Sequence, residues 1–304
     1  MLPHVPGRAE ARPSIFVAAV GDRGSPPLFN IESEWLPFIM PELAEVEYFR
    51  RQWNAGIGNR VIKIAQHADK RVFRGTDPRA LRRELAGARL LTSEARGKRM
   101  LFRFSNENWL GLHLGMSGKM QSARPDFHPQ KHDHLVLYQR ERALVFADAR
   151  QFGRVQFHHG KTAPVWWENG IPEIVSDKFD RAFLDRFLDR HRKAPIKAVV
   201  LMQSGFSGIG NWMADEILWH AKVWPSKLAG KLSAGDRDEL FRATKFVARK
   251  SLRIIGPDNS ALPRTWLIHE RWRTGGKCPR HKTVLGRATI GGRTTAWCPK
   301  CQRR

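Results

Sequence analysis

The feature that most restricts the fold is a set of four metal-binding side chains near the end of the chain. All three cysteines and one histidine fall in the last 27 residues, as Cys278, His281, Cys298 and Cys301. The spacing, Cys-x2-His, sixteen residues, then Cys-x2-Cys, is typical of a zinc ribbon with four ligands around one tetrahedral ion. We therefore predict one structural zinc ion bound by these residues. His269 is a poorer candidate because it breaks the two-residue spacing.

The chain is strongly basic, and the charge is unevenly distributed. Its 304 residues carry a formal net charge of +24, and residues 271–304 contain ten Lys or Arg and no Asp or Glu. Such a surface binds a polyanion by releasing its counterions, which favours nucleic acid as the partner over mere solubility or ribosome association. No apolar run reaches the roughly 20 residues of a membrane span. Clustered cysteines favour metal in a reducing compartment over disulfides.

Composition and periodicity divide the chain into four segments and predict an α+β multidomain protein. Residues 1–39 are rich in Pro and Gly, and we interpret them as a disordered extension or as sequence upstream of a true start at Met40. Residues 40–171 predict a β-sandwich with a leading helix, residues 172–262 a helical domain, and residues 263–304 the zinc ribbon. Six strand-like runs lie in the second segment: 61–64, 99–104, 109–114, 134–138, 143–147 and 154–157. Four helices are expected in the third segment: 179–191, 196–202, 211–223 and 234 to about 254.

The residues that follow Met40 contain the first catalytic candidates. Within a chain the nitrogen of Pro41 is an amide, but at a free N-terminus it is a secondary amine, and such terminal amines titrate at about 7.7–8.0. Beside Glu42 this amine can attack an electrophilic carbon while the carboxyl group protonates the departing group. An ordinary helix start is the alternative, because Pro and an acid both suit a first helical turn. The later turn 207–211 is similarly open to two interpretations, phosphate binding or helix packing.

Several motifs together resemble formamidopyrimidine-DNA glycosylases over residues 40–302. They occur here in the family's order: Pro-Glu-Leu-x-Glu-Val-Glu from Pro41, His-Leu-Gly-Met-Ser-Gly from His113, Lys-His-Asp-His from Lys131, Asp-x-Arg-x-Phe-Gly from Asp148, Gly-Ile-Gly-Asn from Gly208, and the zinc ribbon. The resemblance implies an N-terminal β-sandwich, a helix–two-turn–helix domain and a C-terminal zinc finger. It also implies a DNA glycosylase with AP lyase activity, which removes oxidised purines from damaged double-stranded DNA after flipping the base out of the stack.

The resemblance also assigns roles to individual residues. Pro41 would attack the sugar carbon and form a Schiff base, Glu42 would supply the proton, and Lys98 would assist β-elimination. Arg293 would grip phosphate during δ-elimination. Met116, Arg150 and Phe152 would fill the space left by the flipped base. The remaining matches hold the DNA backbone, and they are His132, Arg192, Lys197 and Asn211.

Three departures from the family pattern qualify this interpretation. Residues 1–39 block the amine of Pro41, so the chemistry requires translation from Met40 or processing. His281 stands where the bacterial pattern has cysteine. The segment 256–276 looks shorter than the family loop that caps 8-oxoguanine, which favours formamidopyrimidines or further-oxidised guanines. The sequence leaves open an endonuclease VIII-type enzyme for oxidised pyrimidines and a catalytically silent DNA-binding protein. We expect a monomer in a bacterial-type cytoplasm, at the nucleoid.

Overall fold

The computed structural model describes residues 40–303. The predicted extension 1–39 lies outside the described residues. The first element is helix α1, Leu43–Gln52, which begins directly after Pro41 and Glu42. Its buried face includes Val46, and Trp53 at its end is fully enclosed. An apolar face of this predicted leading helix therefore packs into the protein core.

The N-terminal part is a sandwich of two four-stranded antiparallel sheets. The sheet orders are β1-β6-β7-β5 and β2-β3-β4-β8. Trp53 packs against Phe102 between the sheets, with 4.9 Å between ring centroids. The strands and one additional helix are β1 Lys63–Gln66, α2 Pro78–Leu85, β2 Leu90–Arg96, β3 Arg99–Phe104, β4 Asn108–His113, β5 Gly118–Ala123, β6 Asp133–Tyr138, β7 Ala143–Asp148 and β8 Arg154–His159.

The six predicted strands are present, but the sequence patterns missed two strands, β2 and β5, and two short helices, α2 and Val165–Glu168. β2 carries Thr, Ser and Glu in succession at exposed or half-exposed positions, and β5 begins with glycine and has no β-branched residue, so neither resembles a typical strand. α2 is short and follows an Asp77 cap and Pro78 at its first position. These are ordinary helix-start signals that we did not use.

The second half of the chain is helical, as predicted. α4 begins after Asp180, whose carboxylate accepts the backbone N–H of Phe183 at 2.6 Å. α7 begins with a capping box between Ser233 and Asp236. The helices are α3 Val165–Glu168, α4 Arg181–Arg190, α5 Ile196–Val200, α6 Asn211–His220 and α7 Ala234–Asp258.

The chain ends in a two-stranded hairpin, β9 Gly286–Ile290 and β10 Arg293–Trp297. A small core beneath it contains Trp219, Leu267, Cys278 and Cys298. Sandwich, helical region and Cys/His hairpin confirm the predicted α+β fold class. Among residues 40–303, no helix combines the length and apolar character needed to cross a membrane.

Candidate active site

The centre of the site is the carboxylate of Glu42, which caps helix α6 from another part of the chain. Its two oxygens accept the backbone N–H groups of Gly210 at 2.8 Å, Trp212 at 2.9 Å and Met213 at 3.1 Å. Only 2% of Glu42 is exposed. A Cβ atom at Gly210 would lie 2.3 Å from the Glu42 Cδ, so only glycine lets the carboxylate approach this closely. The helix end therefore holds a carboxylate in one position beside Pro41.

Lys98 reaches the same place from the turn between β2 and β3. Gly97 in this turn has a φ of +59°, and a Cβ there would lie 2.1 Å from the Ser207 Oγ, so the turn packs tightly against the segment before α6. Burial lowers the pKa of Lys98, the charge of Glu42 opposes this effect, and the charge of Arg293 adds to it. Lys98 therefore lies within electrostatic range of Glu42 and Arg293, two of the other predicted catalytic residues. A lowered pKa suits an amine that must take up a proton.

Two carboxyl groups of the site are buried close together. Burial raises the pKa of Glu42, while the charge of Lys98 and the three N–H donors oppose the rise. Burial and the neighbouring charge of Glu42 raise the pKa of Glu45 to about 7. Glu45 accepts hydrogen bonds from the Trp212 indole at 3.1 Å and from the backbone N–H of Glu42 at 3.2 Å. The site can therefore hold a proton near neutral pH, as an acid catalyst requires.

Arg293 lies on the C-terminal hairpin of β9 and β10, which is called the finger below. It is exposed and starts β10, directly after the Gly291-Gly292 turn. Gly291 packs on α5, where a Cβ would lie 2.8 Å from the Ala198 Cβ. Asn211, the first residue of α6, donates from its side-chain amide to the carbonyl of Thr294 at 2.9 Å. The helix that binds Glu42 thus also fixes the strand that carries Arg293.

Met116, Arg150 and Phe152 lie on two adjacent loops of the sandwich that are joined by Asp148. The buried Asp148 carboxylate accepts the Ser117 hydroxyl at 2.6 Å, the backbone N–H of Arg150 at 3.2 Å and that of Gly153 at 2.6 Å. The guanidinium carbon of Arg150 lies 5.0 Å from the centre of the Phe152 ring, which is 39% exposed. The two loops therefore present an arginine and an aromatic ring as one unit, with Met116 half-buried beside them.

The predicted backbone-binding residues separate into two kinds. His132 and Arg192 are exposed, and Asn211 is half-buried at the start of α6. Lys197 is fully buried, is paired with Asp215 and donates to the carbonyl of Asn211 at 2.8 Å. The structure encloses the Lys197 ammonium group in an internal ion pair, whereas the resemblance implied a direct contact with the DNA backbone, and the role of Lys197 stays a prediction.

The four predicted zinc ligands meet at the base of the finger. Their ligand atoms all lie within 4.8 Å of one another, and His281 Nδ1 is 3.9 Å from the Cys278 Sγ, 3.9 Å from the Cys298 Sγ and 2.9 Å from the Cys301 Sγ. A tetrahedral zinc ion requires ligand separations of about 3.5–3.8 Å, so the cluster could bind a metal. His269 is engaged elsewhere, because its Nε2 lies 3.0 Å from the Leu262 carbonyl.

Comparison with known proteins agrees with this geometry. The family model for the formamidopyrimidine-DNA glycosylase N-terminal domain matches residues 40–155, and that for its H2TH domain matches residues 171–259. The curated formamidopyrimidine-DNA glycosylases of Lactococcus lactis and Laribacter hongkongensis are 31% and 33% identical to the chain, and each match covers 87% of this chain and 100% of the relative. The chain belongs to the formamidopyrimidine-DNA glycosylase family.

A solved structure extends the comparison to three dimensions. A mutant of the Lactococcus lactis enzyme in complex with Fapy-dG-containing DNA superposes with a TM-score of 0.77 at 30% identity, covering 87% of this chain and 100% of that one. Family membership confirms the expected enzyme class, a DNA glycosylase of base-excision repair with AP lyase activity. The roles of individual residues were assigned by resemblance, and they remain predictions.

The residues that hold the site together were not among those predicted from the sequence. Asp215 is fully buried and accepts hydrogen bonds from the Arg271 guanidinium at 2.6 and 2.9 Å and from the backbone N–H of Ala296 at 3.1 Å. Together with Lys197, this network connects α5, α6 and the finger. The signal was an acidic pair, Asp215-Glu216, within an otherwise apolar helix, since buried acids require partners.

Proposed function

We propose that Pro41, freed as the N-terminal residue, is the nucleophile of a bifunctional glycosylase and AP lyase. The observation that carries the proposal is the buried carboxylate of Glu42, which three backbone N–H groups fix beside Pro41. The match of the family model from Met40 supports a working chain that begins with Pro41. This proposal requires translation from Met40 or removal of the preceding residues, because the nitrogen of Pro41 is otherwise an amide.

The chemical steps then follow from the groups present. The Pro41 nitrogen bonds to the anomeric carbon of the flipped nucleotide, and the bond from that carbon to the base breaks. Glu42 gives its proton to the departing base, takes up the proton that the Pro41 nitrogen releases and passes it to the ring oxygen, so the sugar ring opens to a hydroxyl group and a Schiff base on Pro41. Lys98 assists removal of a sugar proton, so that the 3′ phosphate leaves by β-elimination. Arg293 binds the 5′ phosphate and promotes δ-elimination, since its guanidinium can hold phosphate through two hydrogen bonds.

The two sandwich loops and the helical region would hold the DNA. We propose that Met116 and Phe152 fill the gap left by the flipped base and that Arg150 pairs with the orphaned base. The exposed side chains of His132 and Arg192, and Asn211 at the start of α6, would contact the backbone around the lesion, which sets register rather than sequence. Lys197 would not contact the DNA itself and would support Asn211 by donating to its carbonyl.

The preferred substrates are oxidised purines in duplex DNA: formamidopyrimidines, 8-oxoguanine or its further oxidation products. The solved relative bound to Fapy-dG-containing DNA supports the first class. We propose that one zinc ion occupies the cluster of Cys278, His281, Cys298 and Cys301 and holds the hairpin that carries Arg293. One damaged site needs one cleft, so we propose a monomer. Its bacterial relatives support a cytoplasmic location, which we propose to be at the nucleoid.

Borohydride trapping tests the proposal. A chain that begins at Pro41 is mixed with a duplex containing a formamidopyrimidine, and the reductant converts a Schiff base into a stable protein–DNA adduct. The full chain from Met1 is the matched control, and it should form no adduct. If the chain beginning at Pro41, with its N-terminus verified, forms no adduct, then Pro41 is not the nucleophile. That result would favour the alternative of a catalytically silent DNA-binding protein. Faster excision of thymine glycol than of formamidopyrimidine would favour the endonuclease VIII-type alternative.

A further inference from the structure

One face of α7 is a continuous basic stripe that none of the proposed catalytic steps uses. At helical spacing it contains, from one end to the other, Arg242, Lys245, Phe246, Arg249, Lys250 and Arg253. The opposite face of the helix, which includes Leu240, Val247 and Ser251, is buried. Residues at i, i+3, i+4, i+7, i+8 and i+11 lie along one side of a helix. Five cations therefore line about 16 Å of surface, at about 1.5 Å of rise per residue.

The basic stripe lies beside the end of α6 that is remote from the candidate active site. Its central ring, Phe246, is 5.0 Å from the ring of His220, the last residue of α6, and 6.0 Å from the ring of Trp266. Asn211 is the first residue of α6, and Glu42 accepts N–H groups at that end of the helix. This end lies nine residues before His220, or about 13 Å along the helix axis. A ligand on the stripe would therefore occupy a different surface from a duplex in the cleft.

The charges of the stripe are largely uncompensated. Within residues 40–303, no carboxylate lies within 4.0 Å of the charged groups of Arg249, Lys250 or Arg253. Arg242 pairs with Glu239 at 2.6 Å on the surface. Lys245 donates to the Ser176 carbonyl at 2.5 Å, and the charges of Asp177 and Asp180 act on it. The half of the stripe from Arg249 to Arg253 is thus the part most available to an anion.

We propose that this basic stripe binds the phosphate backbone of a second DNA duplex while the cleft holds the damaged one. Duplex DNA carries one negative charge per about 1.7 Å, so a stripe of this length and charge complements several successive phosphates. DNA is the occupant that the activity itself brings to the protein in high local concentration. A second contact would let the enzyme bridge two DNA segments and transfer between them during its search for damage. The inference rests on DNA binding by the cleft, but it does not require the chemistry of Pro41.

A ternary complex tests the inference directly. The full chain is first saturated with a donor-labelled 15-base-pair duplex that contains a tetrahydrofuran site. An acceptor-labelled undamaged duplex is then added, and energy transfer reports the binding of both duplexes to one protein. For the triple variant Arg249→Ala, Lys250→Ala, Arg253→Ala, we expect the second affinity to fall at least tenfold. The slope of its logarithm against log salt should fall by about 2.7, at about 0.9 for each lost phosphate contact. Binding of the tetrahydrofuran duplex should be unchanged, which also reports correct folding.

The matched control removes the same formal charge from another exposed helix, with Arg79→Ala, Arg82→Ala and Arg83→Ala on α2. This variant should retain wild-type affinity for the second duplex. Equal weakening in both triple variants would show a general effect of net charge and overturn the site on α7. The inference is also overturned if the wild-type chain forms no ternary complex at 0.1 M salt, or if a glutamate-rich peptide of matched charge binds the stripe more tightly than the duplex does. None of these readouts depends on base excision, so failure of the proposed chemistry would be seen separately.

Discussion

The Glu42 carboxylate accepts the backbone N–H of Trp212 at 2.9 Å across 170 residues of the chain. This contact joins the sandwich to the first turn of α6, so the proposed acid is held by a helix from the other half of the protein. The positive end of that helix stabilises the ionised carboxylate, whereas burial favours its protonated form. The balance between these two effects sets when Glu42 can give up a proton, and it depends on how the two halves pack.

We expect Gly210→Ala to abolish most base excision without changing any residue that contacts the substrate. The added Cβ would lie 2.3 Å from the Glu42 Cδ, so the carboxylate must move. Displacement of a reacting group by about 1 Å lowers a rate by about 100-fold. Single-turnover excision by a chain beginning at Pro41 measures the effect. Gly235→Ala is the control, because a Cβ there would meet only the Ser233 Oγ at 3.8 Å. It should keep the wild-type rate, and a wild-type rate in the Gly210 variant as well would refute this account.

Stability should depend on pH through Glu45. The pKa of this carboxyl group is raised by burial from the ordinary 4.5 to about 7 in the folded protein. The folded state therefore binds its proton more tightly, and the unfolding free energy falls as pH rises from about 4.5 through 7. We expect Glu45→Gln to flatten this decline by up to about 3 kcal/mol. Urea unfolding at several pH values measures it.

Glu47 provides a control of opposite sign on the same helix. Partial burial raises the pKa of this carboxyl group, but hydrogen bonds from Arg50 and Arg51 outweigh burial and lower it overall. Its stabilising contribution is therefore present above pH 4.5 and is lost as the pH falls further. Glu47→Gln should remove that loss on the acid side and leave the decline between about pH 4.5 and 7 intact. Indistinguishable pH profiles for the two variants would contradict the assignment.

Lys197 and Arg192 should differ sharply in how they affect DNA binding. Arg192 is exposed, so Arg192→Ala should reduce the salt slope of binding by about 0.9, the value for one phosphate contact. Lys197→Met should leave this slope unchanged, because the buried ammonium contacts Asp215 and the Asn211 carbonyl. It should instead reduce the unfolding free energy by about 3 kcal/mol or more, as expected when one partner of a buried ion pair is removed. A loss of salt slope in the Lys197 variant would restore the phosphate role.

The fourth metal ligand can be identified by substitution. His281→Ala should lower the zinc content of the purified protein and its melting temperature, whereas His281→Cys should retain both because a thiolate can replace the imidazole. His269→Ala is the control and should retain zinc, since His269 lies against the Leu262 carbonyl. Elemental analysis after gel filtration gives the readout. Full zinc content in His281→Ala would exclude this histidine as a ligand.

A partner of the metal cluster should tune its affinity. The indole of Trp219 donates to the Cys278 Sγ at 3.4 Å. Trp219→Phe keeps an aromatic ring but removes this hydrogen bond, so we expect a loss of zinc affinity of about tenfold. Competition with a chromophoric chelator measures the affinity. Unchanged affinity would show that the indole serves only to fill the small core beneath the hairpin.

Local patterns were sufficient for several features of this protein. The spacing of Cys278, His281, Cys298 and Cys301 predicted a cluster that the structure brings together, because short turns of two residues leave little freedom in where the ligands point. Alternating apolar residues identified the strands with strong β-propensity. They missed β2 and β5, whose residues owe their strand conformation to pairing with neighbouring strands rather than to local preference.

The sequence by itself determined the α+β fold class, the basic character of the chain and the motifs of the candidate site. Only the tertiary structure decided how those motifs are used. Lys197 and Asn211 look like equivalent polar residues in the sequence, yet the fold buries one in an ion pair with Asp215 and leaves the other at the start of α6. Burial, pKa and ion pairing depend on groups far apart along the chain, and no local pattern records which distant charges will meet.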